Sequence, residues 1–316
     1  MDTHLKIGIS SCLLGENVRY DGGNRLDWFA VGTLARFVEF VPVCPEVELG
    51  LGVPREPMHL VGNPAEPRLV TKLTRVDHTD RMRIWAKGRV KELEAEGLSG
   101  FIFKSRSPSS GMKRVKVLRD RGVTERTGTG LFARAFMEHF PLVPAEDDEG
   151  LHDPAVRENF IESIFVLAAW RNLVQGPITR GALIDFHTRH ELLLRSHGVK
   201  HYGPLSKLIA TIEEHPVQSL CERYQFRLLQ ALKSKITAPR NTKVLIRCLS
   251  YLRKDLTEDE KRELMSVVED YRQGRLPLLL PVALIAHFAY RYDQGYLKQQ
   301  YYLHRDPLEL RLRSHA

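Results

Sequence analysis

Lys6-Ile-Gly-Ile-Ser10 runs directly into Ser11-Cys12-Leu13-Leu14-Gly15. A short apolar run that stops at a cysteine and a glycine reads as a buried strand followed by a tight loop. The arrangement recurs twice. Phe40 to Val43 reads as a second strand and ends at Cys44-Pro45-Glu46. Gly100 to Phe103 reads as a third, and Ser107-Pro108-Ser109-Ser110-Gly111 lies in the loop after it. Helical spacing fills the intervals: Trp28 to Glu39, Asp77 to Glu96 with Met82, Trp85, Val90 and Leu93, and Leu131 to His139. Pro141 to Val143 is a candidate last strand, and proline-rich residues 47–75 read as an extended loop region. Strands alternating with helices predict an α/β fold built on a Rossmann-like parallel sheet. Ligands of such sheets sit at the carboxyl ends of the strands. Cys12, Cys44 and Ser110 can therefore converge, although isolated cysteines are more often small buried hydrophobes.

The acidic stretch Pro144 to Asp153 marks a domain boundary, giving an α/β domain over 1–146 and a second domain over 147–316. In the second the period is 3.6 almost throughout, which predicts an all-α helical domain. Asp153-Pro154 opens a helix to Val174. Thr179 caps one that ends near His197, before Gly198. Val217 to Ile236, Thr242 to Leu256 and Pro277 to Tyr290 are further helices. Thr257 and Glu260 form a capping box for another, closed by Gly274.

The 316 residues suffice for two domains, and 43% apolar with 27% charged residues suits a soluble globular chain. Met1 to Ser10 is too short and mixed for a signal peptide. Leu276 to Ala289 is too short to span a bilayer and contains Pro277 and Pro281. A cytoplasmic protein without membrane association is expected, and no protein partner is evident. The four cysteines include no CxxC pair, which excludes a zinc ribbon or thioredoxin motif. In a cytosolic chain they are not expected to be disulfide staples. Lysine and arginine number 47 against 39 acidic residues, a net +8, with a pI near 9.3. Two readings stay open: a polyanionic partner such as nucleic acid, or a solvated basic surface.

Ile9 to Gly23, Val43-Cys-Pro-Glu46 with Gly50 to Pro57, and Lys104 to Met112 together resemble the thiouracil desulfidase family of the TudS type, over residues 4–143. The resemblance implies a 4Fe–4S cluster held by three cysteines with one iron open. It makes Cys12 and Cys44 two of the ligands and places Ser110 where the third is expected. It puts the acid/base pair on Glu46 and Ser107. The alternative for Glu46 is an exposed loop carboxylate. Arg19-Tyr20-Asp21-Gly22 resembles the substrate-side loop, where Arg19 can pair with phosphate and Asp21 can contact a base edge or cap a turn. Lys104 and Arg106 add positive charge, for substrate or as a solvated rim. Thr127-Gly128-Thr129-Gly130 reads as a tight turn rather than a phosphate loop.

Serine is a harder and far less acidic donor than a thiol and ligates clusters poorly. Ser110 therefore fits a degraded site, an engineered replacement, or a labile cluster with serine or another ligand on one iron. Cys221 and Cys248 fall on apolar helix faces and read as core.

Residues 179–210 and 271–303 resemble the YbgA-like helical domain, over residues 157–313. Fusions of this kind resemble the desulfidases that act on 4-thiouridine in tRNA, with the helical half holding RNA. Arg189 and Arg195, flanking His187, His190 and His197, are candidate RNA contacts. These histidines read as packed or RNA-contacting rather than as zinc ligands. The tail, with Tyr301, Tyr302, Arg305, Arg311 and Arg313, suits stacking and phosphate contact equally with an ordinary helix end. Three functions follow: a desulfidase of thiolated uridine, foremost 4-thiouridine in tRNA; a clusterless tRNA-binding protein; or a desulfidase of free thiopyrimidines and their nucleotides.

Overall fold

The computed structural model describes residues 5–119, 123–305, 309 and 312. It forms two compact units, which divide between Ala168 and Ala169.

In the first unit, β1 (Leu5–Ser10) and β2 (Val38–Val43) precede a four-residue helix α1 (Pro45–Glu48), then β3 (Met58–Asn63) and β4 (Glu66–Thr71). Next come α2 (Thr79–Ala95), β5 (Gly100–Phe103), β6 (Val115–Leu118), β7 (Thr124–Gly128), α3 (Leu131–His139), β8 (Ala145–Asp147) and α4 (Asp148–Leu151). One sheet has the order β2-β1-β5-β8 and is parallel throughout, with Ile7 opposite both Phe40 and Gly100. The expected α/β domain with a parallel sheet is thus present. Ile7, Ile9, Phe101 and Phe103 are fully buried. Strands covered on both faces read as unbroken apolar runs, which is why these were visible in sequence.

The last strand is Ala145–Asp147, just after the expected Pro141 to Val143. The acidic stretch is itself structured, as β8 and α4. Trp28 to Glu39 is not one helix. It forms a π-turn over Phe29–Thr33 and a 3-10 turn over Leu34–Arg36, and β2 begins at Val38. Val31, Gly32 and Thr33 are all poor helix formers.

Residues 47–75 are not simply loop. They contain β3 and β4, a hairpin closed by Pro64-Ala65 and stabilised by Asn63, whose side chain accepts the Ala65 N–H at 3.0 Å. Together with β6 and β7 they form a second sheet, β4-β3-β6-β7. Pro67 sits on the edge strand β4, where a missing N–H is tolerated. Thr127 and Gly128 end β7, and Gly130 caps α3.

Helix α2 packs against both sheets. Ala86, Val90 and Leu93 join Phe101, Phe103, Phe132 and Phe136 in one core. Met82 joins Leu60, Leu69, Val115 and Val117 in another. Gly8 makes the first possible, since a Cβ there would stand 2.3 Å from the Phe101 ring.

Helix α5 (Pro154–Val174) carries the chain into the second unit, which is helical among the described residues: α6 (Arg180–Arg189), α7 (Glu191–Ser196), α8 (Val199–Ala210), α9 (Val217–Leu232), α10 (Ala238–Leu252), α11 (Glu258–Arg272), α12 (Leu279–Arg291) and α13 (Gly295–Lys298). Thr179 caps α6 through the Ala182 N–H, and both halves of the Thr257–Glu260 capping box form. The helix expected to reach His197 breaks at His190. Buried Gln300 accepts the Leu192 N–H and donates to the Thr188 carbonyl, so it satisfies both new helix ends. Cys221 and Cys248 are buried in α9 and α10, as expected.

The three histidines are packed. His187 meets Tyr224 at 3.0 Å and Ser206 at 3.3 Å. His190 donates to the Phe186 carbonyl and His197 to that of Ser234. Burial pushes the His187 imidazole down to about 4, with Glu191 and Arg195 acting in opposite directions on it. Between the ordinary value of 6.5 and that value, the unfolded chain takes up a proton the folded one refuses. Stability is therefore full above pH 6.5 and declines as pH falls towards 4, by about 3 kcal/mol from this group. Urea unfolding across this range is expected to show the decline, and His187→Gln to flatten that part of the curve. Parallel curves for the two proteins would remove the assignment.

Candidate active site

Three strand ends meet at one cavity of about 510 Å³ in the first unit. At the end of β1, a 3-10 turn over Ser11–Leu14 presents Cys12, closed by Gly15 at φ 89°. At the end of β2, Cys44 caps α1, with Pro45 opening the helix. The Cys44 N–H donates to the Glu48 carboxylate at 3.0 Å, which fixes the turn that carries Glu46. After β5, the Lys104 N–H donates to Ser10 Oγ at 2.9 Å, tying the third loop to the first strand. Cys12, Cys44, Glu46, Ser107 and Ser110 all line the cavity, together with Arg19, Tyr20 and Lys104. Asp21 does not; it accepts the Gly23 N–H at 3.2 Å and Arg19 Nε at 3.4 Å, the turn arrangement.

The third loop is held from behind by α3. The Ser109 carbonyl accepts N–H groups from Phe132 and Ala133 at 2.9 and 3.1 Å. Gly130 lies so close that a Cβ would stand 2.4 Å from the Ser109 oxygen, which is main chain and cannot swing aside. Gly130→Ala is expected to destabilise the protein by about 1–3 kcal/mol, read as a shift of the urea midpoint; an unshifted midpoint would show that the loop yields.

Glu46 sits among several partners in the cavity. Its Oε1 accepts from Ser109 Oγ at 2.5 Å, and Ser109 Oγ lies 3.0 Å from Ser107 Oγ. Its Oε2 is 3.7 Å from Cys44 Sγ and 3.8 Å from Arg55 Nη2. Arg55 is anchored on the Val18 and Gly52 carbonyls at 2.9 and 3.0 Å. Sequence reasoning missed Arg55 and Ser109 as site residues. Both stood inside quoted motifs, Arg55 in Gly50 to Pro57 and Ser109 in Lys104 to Met112, but neither was singled out there.

Lys104 is paired: its Nζ is 2.6 Å from Asp148 and 2.8 Å from Ser105 Oγ. Burial alone would raise the Asp148 carboxyl, but Lys104 and Ser105 outweigh it and hold the group below its usual value. The lysine charge in turn favours a thiolate at Cys12. Burial dominates there nevertheless, and pushes the Cys12 thiol up to about 11. Burial, and then the Glu46 charge, push Cys44 up to about 12. Free thiols here are neutral near pH 7, so neither is an activated nucleophile. A bound metal would deprotonate them.

Arg189 and Arg195 belong to the helical unit. Arg189 pairs with Asp185 at 2.9 Å. Arg195 pairs with Glu191 at 2.8 Å and lies 3.9 Å over the Tyr202 ring.

The site defines a class: a parallel α/β domain with two buried thiols and a carboxylate at its strand ends, followed by a helical unit. The family model for 2-thiouracil desulfurase matches residues 7–148, and that for DUF1722, a protein of unknown function, matches residues 191–307. The chain is 31% identical over 153 residues to the uncharacterized protein YbgA of Escherichia coli (strain K12), covering 48% of this chain and 89% of that one. It is 31% identical over 108 residues to the uncharacterized protein YbbK of Bacillus subtilis (strain 168), covering 33% and 71%. A solved structure, the [4Fe-4S]-dependent thiouracil desulfidase TudS, shares 29% identity over 47% of this chain and 94% of its own, with a TM-score of 0.39. The chain belongs to the family that joins a 2-thiouracil desulfurase domain to a YbgA-like DUF1722 domain.

The residues fit an iron–sulfur group through Cys12 and Cys44, whose soft sulfurs line the same cavity. The third position offers the Ser110 hydroxyl, which lines the cavity but binds iron far more weakly. Among the described residues, no three histidine, cysteine, aspartate or glutamate side chains are grouped to hold a metal ion. Cys221 and Cys248 do not line the cavity. No helix among the described residues is long and apolar enough to cross a membrane.

Proposed function

We propose that this protein is a cytoplasmic desulfidase of thiolated uridine, with 4-thiouridine in tRNA as its substrate, and that Ser110 lowers its activity. The observation that carries the reading is Glu46, a carboxylate aimed into a cavity that also holds two thiols. Cys12 and Cys44 would hold a 4Fe–4S cluster, with Ser110 as a weak third partner. When bound, the cluster supplies a soft Lewis acid for the thiocarbonyl sulfur.

The protein's own groups do the rest. Water adds to the ring carbon bearing sulfur, and Glu46 takes its proton. Glu46 returns that proton to sulfur, the adduct's hydroxyl loses its own proton as the carbonyl forms and the carbon–sulfur bond breaks, and the departing hydrosulfide takes up that second proton as hydrogen sulfide. Thiouridine and water become uridine and hydrogen sulfide. Ser107 positions the base through Ser109. Once Cys44 gives up its proton, its hydrogen bond to Oε2 is gone, and that oxygen keeps only the Arg55 guanidinium at 3.8 Å. Arg19 and Tyr20 would meet the nucleotide at the cavity wall. Lys104 supports the site through its charge while bound to Asp148. The net +8 charge supports an RNA substrate. Phosphates reaching Arg189 and Arg195 would compete with Asp185 and Glu191.

The test is anaerobic reconstitution of the full chain with iron and sulfide, followed by thiolated tRNA. A brown protein, loss of the thiouridine absorbance and released sulfide are expected. A colourless protein that leaves the tRNA thiolated would overturn the reading. Ser110 itself favours a second one, a clusterless tRNA-binding protein, which would show salt-sensitive binding without sulfide release.

A further inference from the structure

The hydroxyl hydrogens of the third loop can be assigned from their acceptors. Ser107 Oγ accepts two main-chain N–H groups, from Ser109 at 3.3 Å and Ser110 at 3.1 Å. A hydroxyl oxygen has two lone pairs. Both are taken, so Ser107 has only its O–H left to give, and Ser109 Oγ lies 3.0 Å away. Ser109 gives its own hydrogen to Glu46 Oε1 at 2.5 Å. The direction follows: Ser107 donates to Ser109, and Ser109 donates to Glu46.

Ser109 is itself firmly held. Its side chain is fully buried, its carbonyl accepts two N–H groups from α3, and Gly130 packs against it. A group held this rigidly fixes whatever it bonds to.

We propose that Ser109 is the positioning residue of this site, which passes the hydrogen bond of Ser107 to Glu46 and leaves Oε2 as the oxygen that works. Ser107 lines the cavity, but its hydroxyl hydrogen is then committed to Ser109 and through it to Glu46. The kinetic consequence rests on the desulfidase reading above; the hydrogen-bond order does not.

The experiment uses the full chain in four forms: unmodified, Ser109→Ala, Ser107→Ala and the double variant. For sulfide release from thiolated tRNA, Ser109→Ala is expected to lower kcat about tenfold, with KM changed by less than about twofold, as for loss of one hydrogen bond to a charged group. Adding Ser107→Ala to Ser109→Ala is expected to lower it no further, because the two act in series. A Ser109→Ala rate equal to that of the unmodified protein, or a Ser107→Ala effect that persists in full beside it, would overturn the proposal. A second readout needs neither iron nor turnover: the ¹³C carboxyl resonance of Glu46 at neutral pH, assigned with Glu46→Gln. It is expected to move in Ser109→Ala, and an unmoved resonance also overturns the proposal. If the unmodified protein releases no sulfide, the desulfidase reading falls, and the resonance alone decides Ser109.

Discussion

Glu46→Gln is expected to lower the rate of sulfide release by about 10²- to 10⁴-fold, the usual worth of a general acid–base group. The substitution is nearly isosteric. Its amide oxygen can still accept from Ser109, so the loop from Ser107 to Gly111 should keep its place. What is lost is the ability to take a proton from water and return it to sulfur. KM should change little, because Glu46 meets the attacking water rather than the bulk of the nucleotide. Arg55 loses its facing charge but keeps the Val18 and Gly52 carbonyls, so no collapse of the cavity wall is expected. Steady-state sulfide release, with iron content measured on the same samples, checks this. A rate within about threefold of the unmodified protein, at equal iron, would remove Glu46 from the chemistry.

Ser110→Cys is expected to have the other large effect, on iron content. Ser110 is buried at the cavity wall with its side chain at the site, so a sulfur can be accommodated without displacing core. Its N–H is held by Ser107 Oγ at 3.1 Å, and that bond does not depend on the side chain. The change exchanges a hard hydroxyl for a soft thiol that iron can deprotonate, and it completes a set of three sulfurs with Cys12 and Cys44. Iron retained after desalting should rise towards about four per chain, with slower bleaching in air and faster sulfide release. Equal iron and equal bleaching in the two proteins would show that Ser110 is not a ligand position.

Much of the α/β domain was visible in the residues. The strands that end at Cys12, Cys44 and the Lys104 loop lie side by side in one parallel sheet, and buried parallel strands announce themselves as apolar runs. The second sheet did not announce itself. β4 opens on Glu66-Pro67-Arg68, and β7 carries Glu125 and Arg126 and is mostly exposed, so neither gives an apolar run or a clean alternation, and in sequence both resemble loop. The break at His190 was equally hidden, because the partner that stabilises it, Gln300, lies 108 residues from Leu192.

By itself, the sequence determined the three loops at strand ends, the two thiols and the hydroxyl at Ser110. Each of these follows from side-chain identity and local apolar periodicity. Only the tertiary structure decided that Glu46 is gripped by Ser109, that Arg55 flanks it, that Lys104 is committed to Asp148, and that burial holds both thiols neutral near pH 7. Those properties come from burial and from hydrogen bonds between segments far apart in the chain, and no local pattern of residues records which polar groups folding will bring together in a low-dielectric cavity.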